Sequence, residues 1–245
     1  MKLNKMIGLA FVVVLACSAA MSTSASAFKL EWEVCEAETG GKYENHLCGV
    51  QGGGGGWEWK KLTGTINVKS SGEAFELVAA GKEIKCTTVE DEGTLTGGSP
   101  GTDKMTKIEF TGCTTTVAAC KVHTMGSAAG TIVAKEIPSK LSERETVEGA
   151  KVLADVFEQN PTTKEFATLL FEPGGSCAEY PSTKVKGIVS AECDNNTTTG
   201  QVVSDFPDPE LEGNTLQAFG VAAGLFGTFT SERSGTGAGW GIRCV

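Results

Sequence analysis

Eight cysteines follow the first 27 residues, and their even number constrains this chain's fold more than any other feature. Met1 to Ala27 has a basic start with Lys2 and Lys5, an apolar run from Met6 through Ala16, and the small-residue ending Ala25-Ser26-Ala27. That three-part pattern is an export signal. The run falls short of the roughly 20 residues a spanning helix needs, and no later segment is long and apolar enough, so no transmembrane span is expected. Outside the cytoplasm thiols oxidise, so Cys35, Cys48, Cys86, Cys113, Cys120, Cys177, Cys193 and Cys244 are expected to form four disulfides. Proximity alone suggests Cys35 with Cys48 and Cys113 with Cys120. Zinc ligation needs closely spaced pairs, which these cysteines do not offer.

The stretch Val14-Leu15-Ala16-Cys17 opens a second processing route, because it resembles a lipoprotein box. Lipidation of Cys17 makes the product a lipid-anchored envelope protein. Leu15 fits that box poorly, so cleavage after Ala27 is the leading reading and the expected location is secreted. The segment after Ala27 carries 19 basic and 30 acidic side chains, a formal charge of −11. That balance repels nucleic acid and anionic membrane surfaces.

Gly, Thr, Ser and Val dominate the rest, in short apolar-polar alternations broken by glycine or polar turns. This reads as antiparallel β-structure. Glu83 to Val89, Gly93 to Thr96 and Lys104 to Thr111 are expected as successive strands of a meander. Ser142 and Glu145 match a helical capping box, but Val152 to Phe157 is β-branched and aromatic. A hairpin of Val152 to Phe157 with Phe166 to Phe171, preceded by at most one helical turn, is therefore expected. The five glycines Gly52 to Gly56 predict a mobile loop or linker. The resulting division is 1–27 as leader, 28–61 as a small Cys/Trp/Gly-rich region, and 62–245 as a β-rich domain. Its fold class is all-β, an antiparallel β-sandwich or open barrel stabilised by disulfides.

Several motifs occur in order from Lys82 onward: Ile84-Lys85-Cys86, Gly93, Phe110-Thr111-Gly112-Cys113, Cys120, Gly130-Thr131-Ile132, Cys177 and Val185-Lys186-Gly187. In these the chain resembles a set of uncharacterised secreted actinobacterial β-rich proteins, over roughly Thr65 to Val203. The resemblance implies export and a β-rich fold, and brings no activity with it. Cys35, Cys48, Cys193 and Cys244 lie outside the shared pattern and are expected to pin the two ends of the chain.

No catalytic signature stands out. Gly97-Gly98-Ser99-Pro100-Gly101 matches the spelling of a nucleophile elbow, but Pro100 has no N–H to donate to an oxyanion and no helix follows. His46 and His123 sit in no recognisable motif. Gly235, Gly237 and Gly239 lack the following helix of a phosphate loop. Asn195 and Asn196 each begin a glycosylation sequon, which matters only in a eukaryotic secretory route. Asp205, Asp208 and Glu210, with Glu212, offer oxygen ligands on a Pro-rich segment, the best candidate for calcium. Trp57 and Trp59 flank Glu58 and share one face of a strand, so with Trp32 nearby they are the candidate ligand platform, suited to stacking on sugars. The leading functional expectation is a non-enzymatic structural or ligand-binding protein, its partner a cell-wall or extracellular glycan or another surface protein. The alternative is an extracellular hydrolase acting on polysaccharide.

Overall fold

The computed structural model describes residues 28–196, 198–206, 211–235 and 239–245, so the leader with Cys17, and Asp208 and Glu210, lie outside the described residues. In chain order the strands are β1 (Trp32–Tyr43), β2 (Gln51–Lys61), β3 (Thr65–Ala79), β4 (Lys82–Thr96), β5 (Thr102–Thr111), β6 (Thr114–Thr115), β7 (Lys121–Thr124) and β8 (Ile132–Glu145). They continue with β9 (Lys151–Glu158), β10 (Ala167–Glu172), β11 (Thr183–Val185), β12 (Ile188–Asn196), β13 (Gln201–Phe206), β14 (Gln217–Ala218), β15 (Val221–Arg233) and β16 (Ile242–Cys244). No helix occurs among the described residues.

The expected all-β, antiparallel, disulfide-stabilised fold is present, and it takes the form of a barrel that closes. Eight strands follow one another as β13-β12-β9-β8-β5-β4-β3-β15, and β15 pairs back onto β13 from Val202↔Ser231 to Phe206↔Gly227. Closure removes the exposed edges that an open sheet leaves. Alternation sets the two faces: along β4, Val89, Asp91, Gly93 and Leu95 are buried while Glu90 and Glu92 are exposed. An odd residue shifts that alternation midway along several strands. Ala74 (φ 57°) separates buried Ser70 from buried Phe75, and Glu136 (φ 56°) separates Ala134 from Ile137. Both halves of a long strand thereby face inward as the sheet bends. Opposite Ala74 the register between β15 and β3 slips, and Gly227 (φ 138°) leaves room for the Phe75 ring, which a Cβ there would strike.

Small sheets cover both mouths. At one, β7, β10 and β11 pair as β11-β10-β7 and send Ala167, Leu169 and Val185 into the barrel core. Cys120–Cys177, Tyr180, Phe171 and Phe219 back this cover. At the other mouth, β16-β1-β2 form a sheet whose Trp32, Val34 and Ile242 join the core beside Val68 and Leu95. Cys193–Cys244 ties this sheet to β12. Asn195 strengthens the tie, its amide donating to the Cys244 carbonyl at 2.7 Å and its oxygen accepting from the Cys244 N–H at 2.9 Å. Asn195→Ala should cost about 1 kcal/mol in urea unfolding; an unchanged midpoint would show that the disulfide alone holds the strand.

Four local expectations are corrected. Gly52 to Gly56 are not a linker but the first half of β2. There β1 and β2 approach so closely that a Cβ on Gly41 or Gly55 would fall on the partner's backbone, which explains those two glycines. The capping box at Ser142 and Glu145 lies in β8, held extended by pairing of Ser139 through Glu145 with β9. Val152 to Phe157 and Phe166 to Phe171 are strands but not a hairpin, since β9 pairs with β8 and β12 while β10 leaves to build the cover. Finally, Cys35 pairs with Cys48 as expected, but Cys113 pairs with Cys86 and Cys120 with Cys177. Cys86 lies on β4 and Cys113 in the turn between β5 and β6, both of which pair with β4, whereas Cys120 has already crossed to the cover.

Candidate functional site

An eight-stranded barrel encloses just enough space for its own side chains or for one small ligand. Here the covered half of the interior holds a cavity of about 110 Å³. Six phenylalanines line it, Phe75, Phe110, Phe157, Phe206 and Phe229 from barrel strands and Phe166 from just before β10, with aliphatic side chains from β4, β8 and the cover. The rings meet edge-on or tilted, with Phe75 centred 5.4 Å from Phe110 and Phe206 5.6 Å from Phe229. They reach the interior because each strand places every second residue inward. One lining residue is charged: Asp91, on β4.

Asp91 belongs to a layer of buried polar side chains across the barrel, beside the apolar half. Its members are Ser70 and Asp91 on β3 and β4, Asp103 on β5, Ser139 on β8, Asp155 on β9 and Ser231 on β15. The Ser70 and Ser231 hydroxyls are 2.9 Å apart, and Ser70 lies against Asp91. Burial raises the Asp91 carboxyl to about 6, with Ser70 opposing the shift. Asp103 and Asp155 stand against one another and against Asp91. As two carboxylates they would be acceptors without a proton between them; protonation of Asp103 supplies the donor. Burial, then the charges of Asp155 and Asp91, holds Asp103 well above the carboxylate range. Asp155 is raised to about 7, again chiefly by burial, with Ser139 opposing. Arg233, the one buried base among the described residues, stands on β15 beyond Ser231 with its guanidinium 5.2 Å from the Trp240 ring centre.

The candidate residues chosen from sequence fall elsewhere. Trp32 is 3 % exposed and seals the barrel mouth, so it does not join Trp57 and Trp59. Trp59 is buried against the Cys35–Cys48 disulfide, with the Arg243 guanidinium 4.6 Å from its ring centre. Trp57 is half-buried and meets Trp240 edge-on at 5.0 Å and His46 at 6.0 Å. The three indoles thus form no single open platform. Asp205 lies on β13 opposite Glu192, where burial and the Asp194 charge raise its carboxyl. Among the described residues no group of three or more His, Cys, Asp and Glu side chains is disposed to hold a metal ion. Ser99 donates its hydroxyl to the Lys29 carbonyl at 3.0 Å, in a turn. His123 on β7 faces Glu172 at 3.6 Å.

The buried carboxyls carry a signal that motif reading passes over. Asp91 alternates with Val89, Gly93 and Leu95; Asp155 alternates with Leu153 and Phe157; Asp103 precedes Met105 by two. A carboxyl at a core-facing position of an alternating strand is the pattern that marks them. Comparison of the chain with protein-family models, with curated proteins and with solved structures returned no match.

Proposed function

We propose that the chain is a secreted, non-enzymatic binding protein whose barrel interior takes a small, largely apolar ligand. The observation that carries this reading is the phenylalanine-lined cavity of about 110 Å³. Interiors are ordinarily packed without voids larger than a water molecule, so this space costs stability that an occupant restores. Secretion is supported by the export-type leader, by the four disulfides and by the resemblance to secreted actinobacterial proteins. Among the described residues no helix is long and apolar enough to cross a membrane.

The hydrolase reading requires paired carboxyls that a polymer can reach. The pair with strongly raised protonation, Asp103 and Asp155, is 5 % and 3 % exposed and lies within the barrel. That burial favours binding of something small over cleavage of a polysaccharide. A glycan or protein partner on the outer surface is a separate role, to which the half-buried Trp57 and Trp240 offer aromatic rings.

Titration with propane tests the interior directly. Methyl NMR signals of Ile84, Ile137 and Leu169, all lining residues, should shift saturably. Ala134→Leu, which fills the cavity from β8, should abolish the shifts and leave the fold intact. Absent shifts in the unaltered protein, or shifts that survive the filling, overturn the reading.

A further inference from the structure

The cavity is not uniformly apolar, and its one charged lining group is incompletely partnered. Asp91 Oδ1 is fully buried without a hydrogen-bond partner, and the residue borders the phenylalanine-lined space. Buried polar atoms are almost always paired, so an orphaned carboxylate oxygen on a residue that borders a void marks a position for a donor. We propose that the ligand is a small organic amine, its ammonium on Asp91 and its short apolar body among the phenylalanines. This rests on the interior-ligand reading above and names the chemistry of that same site.

Three further observations select a cation over a neutral donor. Asp103 from β5 and Asp155 from β9 both act on Asp91 or are acted on by it, and Ser70 from β3 bears on it directly. Ser231 from β15 and Ser139 from β8 complete the layer without adding charge. Arg233, farther along β15, is associated with Trp240 and Glu36 at the other mouth. An acidic layer with no base of its own is therefore relieved by an incoming cation. Aromatic rings add to this, since an ammonium near a ring face or between rings is attracted by the ring quadrupole. Volume sets the size: about 110 Å³ is less than the roughly 150 Å³ cavity that takes benzene, which suits an aliphatic body of about three carbons.

The test compares n-propylamine, 1-propanol and propane on the oxidised protein and on Asp91→Asn, by calorimetry and methyl NMR. At pH 7.5, propylamine should bind about tenfold or more tighter than propanol, the margin of a charge-assisted over a neutral hydrogen bond. Asp91→Asn should remove that margin while leaving propane binding within about twofold. At pH 5, where Asp91 is largely protonated, the margin should also disappear. Propane binding with no amine preference, or amine binding indifferent to Asp91→Asn, overturns the amine assignment and leaves the interior site standing. Binding of none of the three compounds overturns both.

Discussion

Moving the oxidised protein from pH 5 to pH 8 should lower its thermal unfolding midpoint by roughly 10 °C. The direction follows from three buried carboxyls whose protons are held more tightly in the folded chain than in the unfolded one. Burial raises Asp91 to about 6 and Asp155 to about 7, and Asp103 lies well above the ordinary carboxylate range. A group raised in this way contributes stability that is fully present below its unfolded value near 4 and is lost as pH climbs through its folded value. Between pH 5 and pH 8 Asp91 and Asp155 together account for about 4 kcal/mol, which for a chain of this size shifts the midpoint by roughly 10 °C. Exposed pairs such as Lys140–Glu158 add little. Asp155→Asn should flatten the dependence, leaving the variant more stable than the parent at pH 8. Calorimetric scans at the two pH values decide it. Equal midpoints in the parent, or an unchanged slope in the variant, would mean that water or rearrangement already relieves the buried charge.

The same carboxyls show where sequence reading succeeds and where it stops. Alternation and turn chemistry are local, so strands such as Glu83 to Val89 and Val152 to Phe157 are legible in the residues themselves. Barrel closure is not local. It depends on β15 meeting β13 and on bulges such as those at Ala74 and Glu136, which no alternating pattern announces. Gly52 to Gly56 mislead because glycine serves two opposite purposes, freedom in a linker and close approach between strands; at Gly55 the partner glycine Gly41 reveals the second. Grouping the cysteines into core and terminal sets anticipates which can pair, since Cys86, Cys113, Cys120 and Cys177 bond among themselves and the other four likewise. The tryptophans draw attention because large aromatics can bind sugars, yet Trp32 and Trp59 are spent on packing. The candidate binding site is built instead from residues on ten different strands, and convergence of that kind is a property of the closed barrel and its cover.

Removing the disulfides one at a time, as paired Cys→Ser changes, should rank them by the chain each closes and by what that chain holds in place. In the loop-entropy account a cross-link stabilises by restricting the unfolded chain, slowly more for longer loops. The pairs Cys120–Cys177 and Cys193–Cys244 span 57 and 51 residues, against 27 for Cys86–Cys113 and 13 for Cys35–Cys48. Losses of about 4 kcal/mol are expected for the two long spans and about 3 kcal/mol for the shortest. The two long-span variants should differ in local consequence. Without Cys193–Cys244, β16 keeps the Asn195 bonds, the Ile242 N–H bond to the Gly200 carbonyl and its pairing with β1, so the sheet carrying Trp32 and Val34 should lose amide-exchange protection before the barrel does. Without Cys120–Cys177, the cover over the cavity loosens, so Leu169 and Val185 should lose protection first. Urea unfolding gives the ranking and hydrogen exchange gives the location. Equal losses from all four variants, with protection falling uniformly, would mean that the covers are not separable from the barrel and that the cavity opens only when the whole structure does.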